Sequence, residues 1–337
     1  MKILLINIKY LGDLIVSTPG IRALRKHEPN AQIVFLLRKG YEEVLANNPN
    51  VDKIISFDAG MKGNSGFDKI IEGIKFIKKI RNEKFNVVIS MHPGDRTAFW
   101  AWFSGAKIRI APLKQSFSFL FNRKVKVDED SISYLNYYNR IIEEYTGSIE
   151  NTRTEFFTFE NDEQWAGQFL SENGIAENNI IIAIHPGASE PTKIWPADSF
   201  IELINKLKKN KNIKIVLVEG PQDKIICESI YSKFTGNEIV NISSAGISKT
   251  CALLKRCNLL ITHDTGTRHL AVAVQTPVLA LVPEDNLSFW NFYHDIESYS
   301  FITGKRFVEE INSKRTGFLS GISANEVYKK TIDILKL

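Results

Sequence analysis

Hydrophobic and polar positions follow two periods along this chain. Short runs of aliphatic and β-branched residues predict buried strands, and longer stretches with an apolar residue every three or four positions predict amphipathic helices. In the first half, the pattern predicts strands over 2–8, 32–37 and 86–90 and helices over 14–27 and 67–81. This alternation of strand and helix is typical of a parallel sheet in an α/β fold.

The same alternation returns after a polar interruption. The second half predicts strands over 179–184, 213–218, 259–262 and 277–282 and helices over 197–209, 222–234 and 266–274. The interruption, 147–159, is the predicted linker, which gives domains 1–150 and 155–337 and leaves open whether the last helix packs back on the first domain. The runs VVISMHPG and IIIAIHPG echo each other across the two halves. We therefore predict two Rossmann-like, doubly wound domains that face each other, with the ligand site in the cleft outside the strand ends.

Composition narrows the class of protein. The 337 residues are 44% hydrophobic, 24% charged and 11% aromatic, which is typical of a globular protein and not of a disordered chain. No apolar stretch approaches the roughly 18 residues of a membrane span, and the first residues lack the pattern of a signal peptide, so we expect a cytoplasmic protein. The three cysteines have no C-x-x-C spacing, so neither a disulfide framework nor a zinc site is indicated.

The charge is unevenly distributed. Residues 1–150 carry 23 Lys and Arg against 16 Asp and Glu, a charge of +7, and residues 151–337 carry 20 against 22, a charge of −2. A basic first half favours an anionic partner, whether phosphate, carboxylate, lipid headgroup or nucleic acid. Its most basic stretch, 96–127, has no acidic residue and contains Arg96, Lys107, Arg109, Lys114, Arg123, Lys124 and Lys126 among seven aromatic residues. Two interpretations are open: this stretch docks on an anionic membrane or acceptor lipid, or its aromatics are buried in a core.

Three loops that follow predicted strands carry candidate chemistry. The first places Gly12 and Asp13 after the opening strand, where Asp13 is either a general base or simply the N-cap of a helix that opens with Leu14. The second, HPGAS at 185–189, leads to Thr192 and Lys193 before a helix. It offers backbone N–H groups, hydroxyls and an ammonium to one anion, although an ordinary loop plugged by Trp195 would look the same.

The third loop is THDTGTRHLAVA, 262–273, whose donors cluster at a helix start and so favour an anion. Its histidines, His263 and His269, lack the spacing of a metal pair, and His263 is better explained as a structural residue. No G-x-G-x-x-G or P-loop motif occurs, which weakens dinucleotide binding and phosphoryl transfer. The acidic triplet 128–130 resembles a metal-binding D-x-D motif, but we interpret it as a solvated turn.

Together these segments resemble the family 9 glycosyltransferases, the bacterial ADP-heptose:lipopolysaccharide heptosyltransferases and their relatives. The resemblance covers nearly the whole chain, through Gly12-Asp13 with Thr18-Pro19, HPGAS…KIWP with Phe200, Glu219-Gly220-Pro221 with Asp223, and Asp264-Thr265-Gly266…His269-Leu270-Ala271. It implies the two-domain GT-B architecture, with the acceptor on the first domain and the nucleotide-sugar donor on the second. It also implies that no metal or other cofactor is used.

The resemblance further implies the site residues. Asp13 matches the general base and Lys193 a contact to the diphosphate, which makes these two the catalytic pair. The donor-binding set implied is Ser189, Thr192, Lys193, Asp223, Asp264, Thr265, Gly266, Thr267, Arg268 and His269, and the acceptor-binding set is Gly12, Asp13 and Arg96. The expected function is inverting, metal-independent transfer of a heptose from ADP-heptose to an anionic glycolipid acceptor, the lipopolysaccharide inner core. We expect no nucleic-acid partner and a peripheral contact with the cytoplasmic face of the inner membrane.

Two departures from the family pattern leave the donor open. Arg268 stands where many relatives have an apolar residue, and 281–285 replaces a common Gly-Pro-Thr-like turn. The alternatives are a transferase that uses another nucleotide sugar and glycan acceptor, and a nucleotide-sugar-binding protein without turnover. A nicotinamide-dependent dehydrogenase is a third, disfavoured by the missing glycine motif.

Overall fold

The computed structural model describes residues 1–58, 66–127, 133–235, 239–243, 245–286, 293, 296–311 and 314–337. The chain divides into two compact units, Met1–Glu155 and Phe156–Leu337. This division falls inside the polar segment 147–159. The acidic triplet 128–130 lies outside the described residues.

The first unit is built around a parallel sheet. Its elements are β1 (Lys2–Ile6), α1 (Leu11–Val16), α2 (Thr18–His27), β2 (Gln32–Arg38), β3 (Lys53–Phe57), α3 (Gly66–Asn82), β4 (Val87–Ser90), α4 (Asp95–Phe103), β5 (Ile108–Pro112), β6 (Arg123–Val125) and α5 (Tyr134–Thr146). Within the described ranges, six strands pair in the order β3-β2-β1-β4-β5-β6, and all these pairs are parallel. The central strands β1, β2 and β4 are buried on both faces, which explains their nearly continuous apolar sequences.

The single helix predicted over 14–27 is wrong. The chain forms α1, which begins at Leu11 after the N-cap residue Tyr10, and α2, which follows a break at Ser17 and has Pro19 in its first turn. Proline is favoured at a helix start because it lacks the N–H that an interior position would need. Asp13 is therefore in the first turn of α1 and is not its N-cap.

The second unit repeats this plan and adds a hairpin. Its elements are α6 (Glu160–Glu172), β7 (Ile180–His185), α7 (Ala197–Leu207), β8 (Ile213–Glu219), α8 (Lys224–Tyr231), β9 (Ile239–Ser243), α9 (Ile247–Leu254), β10 (Leu259–His263), α10 (Gly266–Ala273), β11 (Val278–Pro283), β12 (Tyr299–Ile311), β13 (Lys314–Ser320) and α11 (Ala324–Leu335). Among the described residues, seven strands pair in the order β13-β12-β11-β10-β7-β8-β9, with only the β12–β13 pair antiparallel. The last helix, α11, packs against α7 and the core of this unit.

Both sheets have a topological switch point. In the first unit β1 lies between β2 and β4, and in the second β7 lies between β8 and β10. At such a point the loops after two neighbouring strands diverge and leave room for a ligand at their carboxyl ends. The loops that carry Asp13 and HPGAS follow β1 and β7, so both candidate loops emerge at these points.

Candidate functional site

Asp13 is a buried carboxylate held from two sides. Its side chain, only 5% exposed, lies in the first turn of α1. Oδ1 accepts a hydrogen bond from the Tyr138 hydroxyl at 2.5 Å, and Oδ2 accepts one from the Tyr10 backbone N–H at 3.2 Å. The second bond closes the helix start in the manner of a capping box. Asp13 therefore does contribute to capping, but from the third helical position, and it retains a carboxylate at the end of β1.

The environment of Asp13 shifts its protonation. Burial raises the pKa of the Asp13 carboxyl above its usual value, while the bonds from Tyr138 and Tyr10 and the charge of Lys9 oppose that rise. A carboxylate with a raised pKa is a stronger base than an exposed aspartate. This is the electrostatic setting of a general base.

A network beneath Asp13 fixes the backbone of α1. The buried Asn7 amide donates to the Ser17 hydroxyl at 3.0 Å, and that hydroxyl donates to the carbonyl of Asp13 at 2.7 Å. The Thr18 hydroxyl donates to the carbonyl of Ile15 at 2.7 Å. Gly12, one of the predicted acceptor contacts, is buried in the same turn. The Gly12-Asp13 turn is therefore rigidly placed.

Cations gather at the same sheet edge. Lys9 acts electrostatically on Asp13 and also on His92, whose pKa burial and Lys9 lower to about 4. Arg38, at the end of β2, stacks over the Tyr10 ring, and the exposed Arg96 at the start of α4 stacks over Phe57. In the part of the chain that the structure describes, none of these three cations forms a salt bridge. Arg96 belongs to the acceptor-binding set predicted from the sequence, whereas Lys9 and Arg38 do not.

In the second unit, Lys193 lies in a chain of ion pairs. It ends a short 3-10 helix, Pro191–Lys193, and its Nζ lies 3.4 Å from Asp264 Oδ2 and 3.3 Å from Glu190 Oε1. Asp264 Oδ1 pairs in turn with the guanidinium of Arg268 at 2.6 Å. Burial would raise the pKa of Asp264, but Arg268 and Lys193 hold it below its usual value. Asp264 is therefore an anion shared by two cations.

Asp223 joins a second candidate turn to the HPGAS loop. Its Oδ2 lies 3.1 Å from His185 Nε2 and accepts the Gly220 backbone N–H at 3.0 Å. Although burial acts to raise the pKa of Asp223, the bond and charge of His185 lower it. A methyl group on Gly187 would lie 1.9 Å from Asp223 Oδ1, so glycine is required there for the loop to approach the carboxylate.

The start of α10 completes this arrangement. Its N-cap residue, Thr265, makes no side-chain capping bond, and Thr265, Gly266 and Thr267 are all partly exposed. Ser189 is exposed in the HPGAS loop, whereas Thr192 is buried. An uncapped helix start beside an ammonium is a suitable binding site for an anion.

Three other side chains of this loop are buried and bonded to protein groups. The guanidinium of Arg268 donates to the Tyr299 hydroxyl at 3.0 Å, and His269 Nδ1 lies 2.8 Å from the Tyr293 hydroxyl. Burial and the charge of Arg268 lower the pKa of His269 well below its usual value. His263 Nε2 accepts from the Trp195 backbone N–H at 2.9 Å, and His263 Nδ1 lies 3.1 Å from the Gly187 carbonyl oxygen, so His263 links two loops. Burial lowers its pKa to about 4.

Arg306 is a site residue that the sequence analysis missed. It lies on β12 and bonds to Glu190 at 2.9 Å, Asp285 at 3.0 Å and the Thr192 hydroxyl at 3.2 Å. No spacing in the sequence connects Arg306 with Glu190, 116 residues away. Arg306 thereby ties Asp285, in the short 3-10 helix Glu284–Asn286, to Glu190 in the loop before α7; residues 281–283 of the unusual 281–285 segment belong to β11.

The described residues contain neither a cluster of metal ligands nor a membrane-spanning helix. Among the described residues, no three His, Cys, Asp or Glu side chains cluster in a way that could hold a metal ion. None of the helices in those ranges is both long enough and apolar enough to cross a membrane.

Comparison with known proteins identifies the family. The sequence pattern of Glycosyltransferase family 9 (heptosyltransferase) matches residues 74–300, about two thirds of the chain. This chain belongs to glycosyltransferase family 9. The predicted family resemblance is thus confirmed, and the protein is a glycosyltransferase.

Relatives of this family 9 member cover it almost completely. It is 26% identical to lipopolysaccharide heptosyltransferase 3 of Escherichia coli (strain K12) over 84% of this chain and 82% of that protein. It is 25% identical to lipopolysaccharide heptosyltransferase 1 of Campylobacter coli over 98% of this chain and 97% of that protein. A solved family 9 glycosyltransferase from Veillonella parvula matches with a TM-score of 0.86 at 25% identity, covering 99% of this chain and 97% of that chain.

A more distant structure agrees in fold. The E. coli ADP-heptose LPS heptosyltransferase II superposes with a TM-score of 0.80 at 18% identity, over 100% of this chain and 99% of that one. The predicted α/β class and GT-B architecture are confirmed by these matches.

Proposed function

We propose that this family 9 glycosyltransferase transfers a heptose from ADP-heptose to the lipopolysaccharide inner core, with inversion at the sugar and without a bound metal. The observation that carries the proposal is Asp13, a buried carboxylate of raised pKa at the switch point of the first sheet. The named lipopolysaccharide heptosyltransferases that resemble this chain support the sugar and the acceptor.

The first half of the reaction needs a base. As the acceptor hydroxyl oxygen forms a bond to the anomeric carbon of the heptose, its proton passes to the Asp13 carboxylate. The bond from that carbon to the diphosphate oxygen breaks on the opposite face of the sugar, and ADP leaves with the bonding electrons. Direct displacement from the opposite face inverts the configuration, and the transition state has oxocarbenium character.

The second half needs positive groups for the departing diphosphate. Lys193 and the uncapped start of α10 provide an ammonium and backbone N–H groups. Because Arg268 already pairs with Asp264 at 2.6 Å, that carboxylate does not fully neutralise Lys193. Charge that develops on the diphosphate would therefore meet a preorganised cation.

The remaining donor contacts follow from what the loops expose. Ser189, Thr265, Gly266 and Thr267 are accessible at the loop surface and would bond the phosphates and the sugar. Asp223, whose Oδ2 is engaged by His185 and Gly220, would accept a ribose hydroxyl. Arg268 and His269 are buried, so their part in donor binding is to position Asp264 and the start of α10.

The first unit fits an anionic acceptor. Lys9, Arg38 and Arg96 lie at the ends of β1 and β2 and at the start of α4, on the side where Asp13 emerges. Cations placed near a base would attract a phosphorylated or carboxylated sugar and would also favour the ionised base. We further propose that the protein works at the cytoplasmic face of the inner membrane, with a nucleotide sugar and a glycolipid as its partners and no nucleic acid.

The decisive experiment measures turnover with a defined donor and acceptor. Purified protein is incubated with ADP-heptose and lipid A-linked inner core, and ADP release and the mass of the acceptor are followed with EDTA present. We expect the acceptor to gain one heptose, and Asp13→Asn to lose about 100-fold to 10,000-fold in turnover. Asparagine keeps an acceptor for the Tyr10 N–H, so the variant should still fold.

The same assay separates the alternatives. A panel of nucleotide sugars is screened by thermal shift, since a ligand at 100 times its dissociation constant stabilises by about 2.7 kcal/mol. Turnover with another nucleotide sugar only would refute the donor, and a shift with no turnover for any donor would indicate a binding protein. Near-normal turnover of the folded Asp13→Asn variant would remove Asp13 as the base.

A further inference from the structure

The first unit exposes a cluster of aromatic rings, here called the aromatic patch: Phe99, Trp102, Phe103, Phe117 and Phe119. Phe119 is 71% exposed and the other four are each between 38% and 48% exposed. Four of the rings form a connected row, with centroids 6.5 Å apart for Phe103 and Phe99, 4.9 Å apart for Phe99 and Phe117, and 6.0 Å apart for Phe117 and Phe119. Trp102 is the neighbour of Phe103 in α4. Single exposed apolar residues are ordinary, whereas a contiguous exposed group marks an interaction surface.

The buried alternative accounts for only part of this segment. Trp100 and Phe121 belong to the core, and the Trp100 ring packs against the Phe57 ring with their centroids 4.7 Å apart. Since these residues already fill the space beneath α4, the aromatic patch is not needed for that packing. Burial in the core therefore accounts for Trp100 and Phe121 in the stretch 96–127, and it does not account for the aromatic patch.

The backbone at Phe117 is itself unusual. Its φ of 55° lies in the left-handed region, which a bulky side chain adopts only at a free-energy cost. The short 3-10 helix Ser118–Leu120 follows directly and carries Phe119 outward. Strain of this kind is concentrated at functional positions.

The segment that carries the aromatic patch is strongly basic, although the exposed Asp95 lies one helical turn before Phe99 at the start of α4. Between residues 96 and 127 there are seven cations and no carboxylate. Arg109 stacks over Trp102 at 5.0 Å, and Lys107 and Lys114 are exposed in the loops that enter and leave β5. Aromatic rings flanked by lysine and arginine suit the headgroup region of a bilayer that contains anionic lipid.

We propose that the aromatic patch docks this unit on an anionic phospholipid membrane. The rings insert at the level of the headgroups, and Lys107, Lys114 and Arg109 bind lipid phosphates. The aromatic patch would be the surface that makes the membrane contact named under the proposed function. The proposed function explains why such a contact would be useful. The binding itself requires neither donor nor acceptor.

The test is sedimentation of the full chain with vesicles of phosphatidylethanolamine and phosphatidylglycerol, and with phosphatidylcholine vesicles as the neutral comparison. We expect binding to the anionic vesicles that weakens as salt is raised. The pair Phe103→Ser and Phe119→Ser should lower the partition coefficient about tenfold or more. The pair Lys107→Glu and Lys114→Glu should lower it by about 30-fold or more, because the loss of two cations alone accounts for about 30-fold and the two added carboxylates are repelled by anionic lipid.

Matched controls come from the second unit. Ile225→Ser with Tyr231→Ser removes apolar side chains that are 83% and 42% exposed, and Lys209→Glu with Lys211→Glu reverses two exposed charges. Both controls should bind vesicles as the unaltered protein does. Absence of binding at low salt would overturn the proposal, and so would patch variants that bind normally or controls that lose binding equally.

A second readout separates this proposal from the transferase proposal. If transfer is observed, the patch variants should keep their turnover on a de-acylated, water-soluble acceptor and lose it on an acceptor embedded in anionic vesicles. Equal turnover on the embedded acceptor would overturn the patch as the docking surface. If no transfer is observed with any donor, the vesicle-binding assay still tests the docking surface, because the vesicles contain neither donor nor acceptor sugar.

Discussion

The hydrogen bond from Tyr138 to Asp13 should set the pH at which the base becomes active. Tyr138→Phe removes one buried hydroxyl from α5 and keeps the ring that packs beside α1. In the intact protein this hydroxyl donates to Asp13 Oδ1 at 2.5 Å and lowers the pKa of that carboxyl, against the larger effect of burial. Its removal should therefore raise the pKa of Asp13 further.

The magnitude follows from the bond that is lost. A hydrogen bond to a charged group contributes about 1.5–3 kcal/mol, and one pKa unit corresponds to about 1.36 kcal/mol. The loss of this bond should thus raise the pKa of Asp13 further. Since a general base acts only when ionised, kcat/KM of Tyr138→Phe on the acid limb of the pH profile should fall by about 10-fold to 100-fold, and the limb should move to higher pH.

The assay is ADP release measured across pH for the intact protein, Tyr138→Phe and the control Tyr137→Phe. Tyr137 is the neighbouring residue of α5, and the two carboxylate oxygens of Asp13 bond instead to Tyr138 and Tyr10. The control should leave the acid limb in place. An unmoved limb in Tyr138→Phe, or an equal shift in both variants, would refute the coupling.

Stability should respond to pH with a defined sign. The pKa of Asp13 is higher in the folded protein than its ordinary value, so the folded state retains this proton to higher pH than the unfolded state does. Stability from this group is therefore present below the unfolded pKa and falls as pH rises through the folded pKa. Tyr138→Phe should extend that fall to higher pH, which melting temperatures measured across pH will reveal.

Two further variants test the donor loops. Lys193→Ala should reduce kcat by a factor equivalent to about 2–4 kcal/mol with little change in donor affinity, because the negative charge that Lys193 stabilises grows as the sugar bond breaks. Lys206→Ala is the control and should leave kcat unchanged. A raised donor KM at unchanged kcat in Lys193→Ala would contradict this prediction. Gly187→Ala should displace Asp223 from His185, since its new methyl group would lie 1.9 Å from the carboxylate, and donor KM should rise about tenfold. Gly73→Ala meets no neighbour within 4 Å and should leave KM unchanged; an equal KM in Gly187→Ala would show that the Asp223 contact is dispensable.

The sequence was sufficient to predict where the candidate loops lie in the fold. Asp13, the HPGAS segment and Asp264 each follow a strand, and the parallel order of such strands brings their following loops to one edge of a sheet. The hydrophobic period therefore located these residues without any knowledge of contacts. It misplaced the start of α1 because local polar residues, Tyr10 and Asp13, decide where a helix begins, and the apolar pattern does not record them.

Pairings between distant residues could not be predicted in this way. Tyr138 lies 125 residues from Asp13, and Arg306 lies 116 residues from Glu190. Each pair depends on tertiary packing, because α5, at the end of the first unit, packs against α1, and β12, near the end of the second, packs against the loop that carries Glu190. The polar partners that tune a site are thus set by topology, whereas the site residues themselves are set by their own strand and turn.

The departure at position 268 can be understood from the same geometry. A buried guanidinium requires partners, and those of Arg268 include Asp264 at 2.6 Å and Tyr299 at 3.0 Å. An apolar residue at 268 would remove one cation from Asp264, and Asp264 would then hold the Lys193 ammonium more tightly. With Arg268 present, Asp264 is already compensated, so a diphosphate competes with a weaker pair for Lys193. Arg268 therefore favours an available ammonium in the donor loop while remaining buried itself.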